Sequence, residues 1–336
     1  LTAIAAVSMC PTDSPYLEIP DVVSYNHYFG WYGGNLSDYG PWFDKFHEEH
    51  PGLPVGCSEY GCEALDWHTS NPEAGDYTEE YQALYHEEAI KQLFSRPYLW
   101  ATYVWSMFDF GADGRAEGGE DGFNHKGLVT ADRKYKKDTF YAYKAWLSDE
   151  PFVHICGKRY RNRVEDVARV TVYSNQPTVE LFANGASLGS RSAEDHFFRF
   201  DVPNAGETDL VAVAGDCRDA SHITKVASFD ESYRLKEVGA LVNWFDITQP
   251  AGYCSVQDRV SEIKKNPEAA REVEGFFAPF AASMGMDAKS VMDMLGGFNV
   301  LRVCNLANQV LPDGKKVTGG DLLGLNARLN KIRSVP

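Results

Sequence analysis

The first 150 residues alternate between two hydrophobic patterns. Short apolar runs typical of buried strands occur at Leu1–Ser8, Val22–Tyr28, Leu53–Cys57 and Leu99–Met107. Amphipathic runs, with apolar positions three and four residues apart, predict helices over Pro41–His50, Asp76–Phe94 and Thr139–Leu147. Because strand and helix patterns alternate, we predict a parallel sheet covered by helices.

The pattern changes near Glu150-Pro151. Alternation of apolar and polar residues with a period of two predicts strands at Val170–Tyr173, Val179–Phe182, Phe197–Val202 and Leu210–Ala214. Asn184-Gly185 lies between two such runs and is a strong hairpin signal. This segment therefore predicts a small antiparallel sandwich. From about residue 235, helical patterns return over Pro267–Met284, Ala288–Leu295 and Leu322–Ile332.

The net charge of −16 is concentrated in the first segment. Residues 1–150 contain 25 acidic and 10 basic residues, whereas the rest of the chain is nearly balanced. This charge disfavours nucleic acid as a partner. No apolar run is long enough to span a membrane. The seven cysteines are scattered without zinc-binding spacing, which predicts reduced thiols in a cytoplasmic protein and no metal site.

Aromatic and polar side chains follow the ends of three predicted strands. The segments are Asn26–Tyr32, Glu59–Gly61 and Trp105–Phe110. In a parallel β/α barrel the carboxyl ends of the strands form one face, and the active site lies there. Aromatic rings and a carboxylate at such a face suit a sugar, because the rings stack on its C–H surface and the carboxylate acts at the anomeric carbon.

Each of these residues also has a simpler structural interpretation. Trp105 alone would be a core residue, and His27 alone would be a hydrogen-bonded structural histidine. A single glutamate after a strand is most often a capping or salt-bridge residue. The joint placement of these residues on three successive strand ends favours a carbohydrate site over the separate explanations.

The strand-end segments, together with Asn124–Val129 and Asp132–Lys134, resemble glycoside hydrolase family 2. Within that family the sequence is most similar to the β-glucuronidases of gut bacteria. The resemblance covers essentially all of residues 1–230, and the tail is similar to C-terminal extensions in the same group. It implies a glycosidase that hydrolyses terminal β-D-glucuronides with retention of configuration.

The resemblance implies a multidomain α/β plus all-β architecture. Residues 1–150 would form the second half of a TIM (β/α)8 barrel, strands 5–8, and residues 151–232 an immunoglobulin-like β-sandwich. Residues 233–336 would form a mostly helical or mixed accessory domain. The resemblance also implies that Glu59 is the nucleophile, and that Trp105 is an aromatic platform followed by a cis Trp105–Ser106 peptide.

The resemblance assigns further substrate contacts to Asn26, His27, Tyr28, Tyr32, Arg115, Asn124 and Lys126. Asn124 and Lys126 match the Asn-x-Lys pair that holds the substrate carboxylate, and Arg115 would assist. A cation beside a hydrogen-bond donor binds a carboxylate well. Alternatively, Lys126 is a loop lysine paired with a nearby acid. Some β-galactosidase-like relatives carry a similar motif, so galactosides or galacturonides remain alternative substrates.

A retaining glycosidase needs a second carboxylate as its acid/base. In this family it is the Glu of an Asn-Glu pair, and no Asn-Glu dipeptide occurs in the 336 residues. We therefore expect an N-terminal portion of the same enzyme to act as a partner, and the chain alone to be inactive. A hypothesis of another class is a non-catalytic carbohydrate-binding or assembly fragment.

The glycosidase reaction that the resemblance implies requires no cofactor. Some relatives with similar C-terminal domains bind flavin mononucleotide (FMN) at the surface, but residues 236–336 contain no recognisable phosphate loop. This region favours a helical packing or oligomerisation domain, and we expect a homo-oligomer.

Overall fold

The chain divides into two compact units. The computed structural model describes residues 1–69, 77–113, 119–120, 122–235, 241–242, 247–283, 285–312 and 314–335. One unit comprises Leu1–Phe29 and Asn35–Leu235, and the other comprises Gly30–Gly34 and Lys236–Pro336. None of the helices in the described ranges is long and apolar enough to cross a membrane.

A four-stranded parallel sheet opens the first unit. Its strands are β1 (Ala3–Val7), β2 (Val22–Asn26), β3 (Val55–Tyr60) and β4 (Thr102–Val104), in the order β1-β2-β3-β4. The helices of this region are α1 (Tyr39–Glu49), α2 (Glu79–Phe94) and α3 (Asp138–Leu147). All neighbouring strands pair in parallel, which confirms the predicted sheet.

Helix α2 shows how a local signal fixes an element boundary. The periodicity predicts a start at Asp76, which lies outside the described residues. The helix begins at Glu79 because the Thr78 side chain accepts a hydrogen bond from the Tyr81 backbone N–H at 2.9 Å. A threonine in this capping position satisfies an amide that would otherwise lack a partner.

Two sheets follow in the same unit, after the short antiparallel pair of β5 (Phe110–Gly111) and β6 (Phe123–Asn124). Their strands are β7 (Val153–Ile155), β8 (Asn162–Arg163), β9 (Val167–Ser174), β10 (Thr178–Ala183), β11 (Ala186–Ser192), β12 (Phe197–Pro203), β13 (Glu207–Ala214) and β14 (Cys217–Lys225). The sheet orders are β11-β10-β13-β14-β8 and β12-β9-β7, and neighbouring strands are antiparallel except for the parallel pair of β14 and β8. Alternate residues of both sheets share one apolar core. The predicted hairpin at Asn184-Gly185 is confirmed, with positive φ at both residues.

The second unit is built around helices. They are α4 (Val260–Lys265), α5 (Pro267–Ser283), α6 (Ala288–Met294), α7 (Val300–Val310) and α8 (Gly319–Leu329). Their apolar faces share one core that includes Val273, Phe277 and Leu325. Side chains of Asn299 and Thr318 cap α7 and α8. Helices were predicted here, but α4 and α7 were missed.

Candidate active site

The carboxyl ends of β2 and β3 bring two predicted site residues side by side. Asn26 pairs with Glu59 in the parallel register, and the ladder is irregular just before each of them. Such a bulge changes the direction in which side chains point. The Asn26 Oδ1 accepts a hydrogen bond from Ser58 Oγ at 2.7 Å, so both strand ends are tied together.

Glu59 is held by a phenol. The Tyr28 hydroxyl donates a hydrogen bond to Glu59 Oε2 at 2.6 Å, and both side chains are half-buried. A hydrogen bond to a carboxylate is stronger than one between neutral groups and fixes its orientation. The structure therefore presents one oriented carboxylate at the tip of β3, as the sequence pattern indicated.

Gly61 allows a close backbone approach directly behind Glu59. A Cβ at Gly61 would collide with the carbonyl oxygen of Trp105, because the Trp105 backbone N–H donates to the Tyr60 carbonyl at 2.9 Å. The backbone two residues after Glu59 is thus in contact with the end of β4. This contact places the backbone of Trp105 beside the backbone of the Glu59 strand.

Trp105 keeps its ring accessible. Its exposed fraction is 38%, and it forms an edge contact with Phe110 at 6.0 Å between ring centroids. The Trp105–Ser106 peptide is cis, as predicted. An exposed indole face at a strand end can stack on the C–H surface of a sugar.

Lys126 is a deeply buried cation. Its exposed fraction is 1%, and its Nζ lies 3.1 Å from Oε1 of Glu63, which is also fully buried. The Lys126 ammonium also lies 5.7 Å from the centroid of the Tyr28 ring. Asn124 accepts a hydrogen bond from the Lys126 backbone N–H through its Oδ1 at 3.0 Å. Lys126 is therefore paired with an acid, as the alternative interpretation predicted, but it is buried and its ammonium lies beside the Tyr28 ring.

A second buried ion pair fixes the loop that carries Lys126. Lys137 Nζ contacts Asp109 Oδ1 at 2.9 Å and donates to the backbone carbonyls of Ala64 and His125 at 2.7 and 2.9 Å. Asp109 Oδ1 also accepts from the Gly127 N–H at 2.8 Å. Sequence reasoning missed Glu63, Asp109 and Lys137. Asp109 lies within a strand-end segment, but nothing local indicated its partner.

Three predicted contacts are not placed beside Glu59 by the described structure. His27 packs against α1, with its ring 4.0 Å from Trp42 and 4.5 Å from Phe29. Tyr32 belongs to the second unit and lies 6.5 Å from Phe298 there, measured between ring centroids. Arg115 lies outside the described residues.

His27 yields a stability prediction. Both ring nitrogens are buried without a hydrogen-bond partner in the described ranges, and burial lowers the pKa of His27 from 6.5 to about 3. The unfolded chain therefore binds an extra proton between these pH values, so stability falls as the pH drops from 6.5 towards 3. For His27→Phe we expect a weaker acid dependence, and at pH 7 a free energy of unfolding higher by about 1 kcal/mol.

Urea unfolding of the wild type and His27→Phe across this pH range measures the effect. Parallel pH profiles for the two proteins would contradict the buried, neutral state of His27. A large rise in KM for the sugar substrate would instead indicate that the His27 ring contacts substrate, as the family resemblance implies.

This chain is similar in sequence and fold to several β-glucuronidases. A family described as a domain of unknown function, DUF4982, matches residues 165–216. A β-glucuronidase of Bacteroides fragilis is 40% identical over 185 residues, which cover 53% of this chain and 27% of that protein. The crystal structure of an FMN-binding β-glucuronidase from Faecalibacterium prausnitzii L2-6 shows 49% identity and a TM-score of 0.68, covering 70% of this chain and 36% of that one.

A third relative is Bacteroides uniformis β-glucuronidase 2, solved covalently bound to cyclophellitol-6-carboxylate aziridine. It shows 31% identity and a TM-score of 0.61, covering 67% of this chain and 28% of that one. This chain is related to the β-glucuronidases. The predicted resemblance to these glycosidases is thereby confirmed, and the mixed α/β fold is similar to theirs. The chain spans well under half the length of each of these relatives.

One group of three residues in this β-glucuronidase relative has side chains of the types that bind metal ions. The ligand atoms of Asp138, His154 and Cys156 lie within 4.8 Å of one another, the one such set found in the described ranges. However, the Asp138 carboxylate already accepts from His154 Nε2 at 2.9 Å and from the Gly157 N–H at 2.8 Å. These bonds satisfy both oxygens, which favours a structural role for the group.

The second unit of this β-glucuronidase relative contains a cavity of about 750 Å3. Its wall includes the apolar side chains of Phe276 and Phe280 and the cations Arg271, Lys315 and Lys316. Glu272, also in the wall, pairs with Arg328 at 2.7 Å. Aromatic surface beside basic side chains is the chemistry that a ring compound with a phosphate requires.

Proposed function

We propose that this chain supplies the nucleophile side of the active site of a retaining β-glucuronidase. The observation that carries the proposal is the hydrogen bond from Tyr28 to Glu59 at the tip of β3. It orients a carboxylate on a strand whose backbone adjoins that of Trp105, and the Tyr28 ring lies 5.7 Å from the Lys126 ammonium. In the proposed reaction Glu59 attacks the anomeric carbon as the bond from that carbon to the aglycone oxygen breaks, and the acid/base carboxylate protonates the departing oxygen. Water, deprotonated by the same acid/base group, then hydrolyses the glycosyl ester and releases Glu59.

The proposed substrate is a terminal β-D-glucuronide. Lys126 supports this choice because a buried ammonium next to Asn124 can hold the carboxylate that distinguishes a glucuronide from a galactoside. A ligand with a 6-carboxylate bound covalently to Bacteroides uniformis β-glucuronidase 2 gives further support. Both features, the covalent bond and the 6-carboxylate, match the roles proposed for Glu59 and Lys126.

We further propose that β1 to β4 are strands 5–8 of a (β/α)8 barrel, followed by an immunoglobulin-like sandwich and an accessory domain with the predicted bounds of 151–232 and 233–336. The parallel order β1-β2-β3-β4 supports the barrel assignment. Exposed apolar side chains on the edge strands support it as well, including Val7 on β1 and Tyr103 on β4. The acid/base carboxylate then comes from an earlier barrel strand, outside these 336 residues.

The test uses the full-length enzyme and an aryl β-D-glucuronide. Proton NMR of the first-formed product should show the β-anomer, because two displacements at one carbon retain its configuration. An α-anomer would contradict the proposed covalent mechanism. Tight sugar binding without turnover would favour the non-catalytic binding fragment. Assay of the 336-residue chain alone should show no hydrolysis.

Tyr28→Phe tests the orienting role of the phenol. The variant keeps the ring but loses the bond to Glu59, so we expect kcat to fall by about 10- to 100-fold. KM should change little if the ring, and not the hydroxyl, contacts the sugar. Steady-state kinetics of the full-length variant measures both constants. Wild-type kcat in the variant would show that the 2.6 Å bond does not serve catalysis.

Flavin binding is a separate proposal for the second unit. The donor set of Arg271, Lys315 and Lys316 fits a phosphate, and Phe276 and Phe280 fit a flat ring. All the residues that would hold the group belong to the second unit, and glycoside hydrolysis needs no redox cofactor. An absorbance scan of the purified protein across the flavin bands tests the proposal, and dialysis against free FMN controls for loss during purification. The homo-oligomeric state and the cytoplasmic location expected for this protein stay predictions.

A further inference from the structure

Two buried tyrosines lie behind the proposed nucleophile. Tyr39 begins α1 and Tyr85 lies within α2, and both side chains are fully buried with their hydroxyls in hydrogen-bond contact. The Gly61 backbone N–H donates to the Tyr85 hydroxyl at 3.2 Å. The Tyr39 hydroxyl donates to the His27 carbonyl at 2.9 Å. Three hydrogen bonds therefore run from the Gly61 N–H after β3, through the Tyr85 and Tyr39 hydroxyls, to the His27 carbonyl after β2. We call these three bonds the tyrosine series.

The direction of these bonds is fixed by their ends. The Gly61 N–H can only donate, so the Tyr85 oxygen accepts and its hydrogen is available to Tyr39. The His27 carbonyl can only accept, so the Tyr39 hydrogen goes to it. A hydroxyl has one hydrogen to donate and lone pairs that accept, and both phenols use each function once. Removing either hydroxyl breaks the series and leaves buried polar groups without a partner.

The two backbone ends flank the catalytic pair. His27 immediately precedes Tyr28, and Gly61 follows Glu59 with one residue between them. The Tyr28 hydroxyl meets Glu59 Oε2 at 2.6 Å, and the His27 N–H donates to the Glu59 carbonyl at 2.9 Å. The tyrosine series thus joins the same two strand ends through α1 and α2.

We propose that Tyr39 and Tyr85 are positioning residues that set the spacing between Tyr28 and Glu59. In the sequence, α1 begins at Tyr39, well after β2 ends at Asn26, and α2 begins at Glu79, well after β3 ends at Tyr60. The tyrosine series anchors the two strand ends to the first turn of α1 and the middle of α2. Burial raises the pKa of both phenols well above 10, so both keep their hydrogens at any working pH.

A neighbouring tyrosine pair lacks this arrangement. The Tyr143 hydroxyl donates to the Tyr60 hydroxyl at 3.1 Å and lies 2.9 Å from His86 Nδ1. These bonds join side chains and do not span the two strand ends. Tyr173 offers a cleaner control, because it is fully buried and its hydroxyl donates to Glu87 Oε1 at 2.6 Å, away from the strand ends.

The inference rests on the proposed function and is tested in the full-length enzyme by a double-mutant cycle. Tyr85→Phe should lower kcat by about tenfold with little change in KM. If it acts through the Tyr28–Glu59 bond, then Tyr28→Phe/Tyr85→Phe should be no slower than Tyr28→Phe alone. Tyr173→Phe should lose comparable stability, keep wild-type kcat and combine additively with Tyr28→Phe.

The possible outcomes distinguish failure of the positioning role from failure of the proposed function. Wild-type kcat in Tyr85→Phe, or a loss that multiplies with that of Tyr28→Phe, overturns the positioning role while Glu59→Gln remains inactive. Activity retained by Glu59→Gln overturns the proposed function instead. If Tyr85→Phe fails to fold, Tyr39→Phe repeats the cycle. Hydrogen exchange of the wild-type Gly61 amide adds a measurement without mutation, and rapid exchange would contradict the series.

Discussion

Glu59→Gln in the full-length enzyme is expected to reduce hydrolysis of an aryl β-D-glucuronide by about four orders of magnitude or more. Glutamine fills nearly the same space and can still interact with the Tyr28 hydroxyl, but its amide cannot attack the anomeric carbon. Substrate binding should survive, because the indole of Trp105 and the ammonium of Lys126 are unchanged. Steady-state assays and equilibrium binding of a glucuronide separate these two effects.

A matched variant controls for the loss of a carboxylate. Glu49 forms an exposed pair with Lys45 one helical turn away, at 3.7 Å, so Glu49→Gln should keep wild-type kcat and KM. Azide provides an independent check in Glu59→Gly, since a small anion can enter the space left by the side chain and replace the nucleophile. A Glu59→Gln variant within tenfold of wild-type activity would contradict the assignment.

Lys126→Ala should lower kcat/KM for a β-D-glucuronide on the order of 100- to 1000-fold. Hydrolysis of the matching β-D-galactoside should fall less than about tenfold, because a galactoside lacks the carboxylate that Lys126 would hold. The prediction follows from the burial of the ammonium, where a lost ionic contact is screened little by solvent. The ratio of the two kcat/KM values is the quantity to measure.

This variant also removes the cation that pairs with Glu63, and the loss of one member of a buried ion pair is destabilising. Both substrates are therefore assayed on the same preparation, since a change in the folded fraction cancels in the ratio. Lys126→Ala/Glu63→Gln also removes the buried negative charge and should show the same selectivity with better stability. Equal losses on both substrates would contradict the proposal that Lys126 binds the uronate carboxylate. Lys126 would then have only a structural role, in its ion pair with Glu63.

The sequence was informative where periodicity is local. The parallel sheet, its helices and the Asn184-Gly185 hairpin follow from apolar spacing and turn chemistry. Strand β4 is shorter than predicted because the Ser106 backbone N–H donates to the Lys126 carbonyl and leaves the ladder. Helix α7 was missed since valine and asparagine are weak helix formers, although Val300, Val303 and Ala307 follow a helical spacing.

For the candidate site, too, local patterns were informative and contacts between distant residues were not predicted. The alternation along β2 contained a signal that was not used. In an extended strand, Tyr25 and His27 fall on one face and Asn26 and Tyr28 on the other, so His27 shares the face of Tyr25. Long-range partners had no sequence signature. The Tyr39–Tyr85 contact joins residues 46 positions apart, and the Lys126–Glu63 pair joins residues 63 apart. Only the packing of helices and loops against the sheet determines such contacts.

Covalent trapping tests the central claim most directly. The full-length enzyme is inactivated with a 2-fluoro-glucuronyl fluoride, in which the fluorine at C2 slows hydrolysis of the glycosyl ester, and the labelled peptide is fragmented by mass spectrometry. We expect one sugar per chain, attached to Glu59 and resolved from nearby Glu63. A label on any other residue, or inactivation without a covalent adduct, would contradict it.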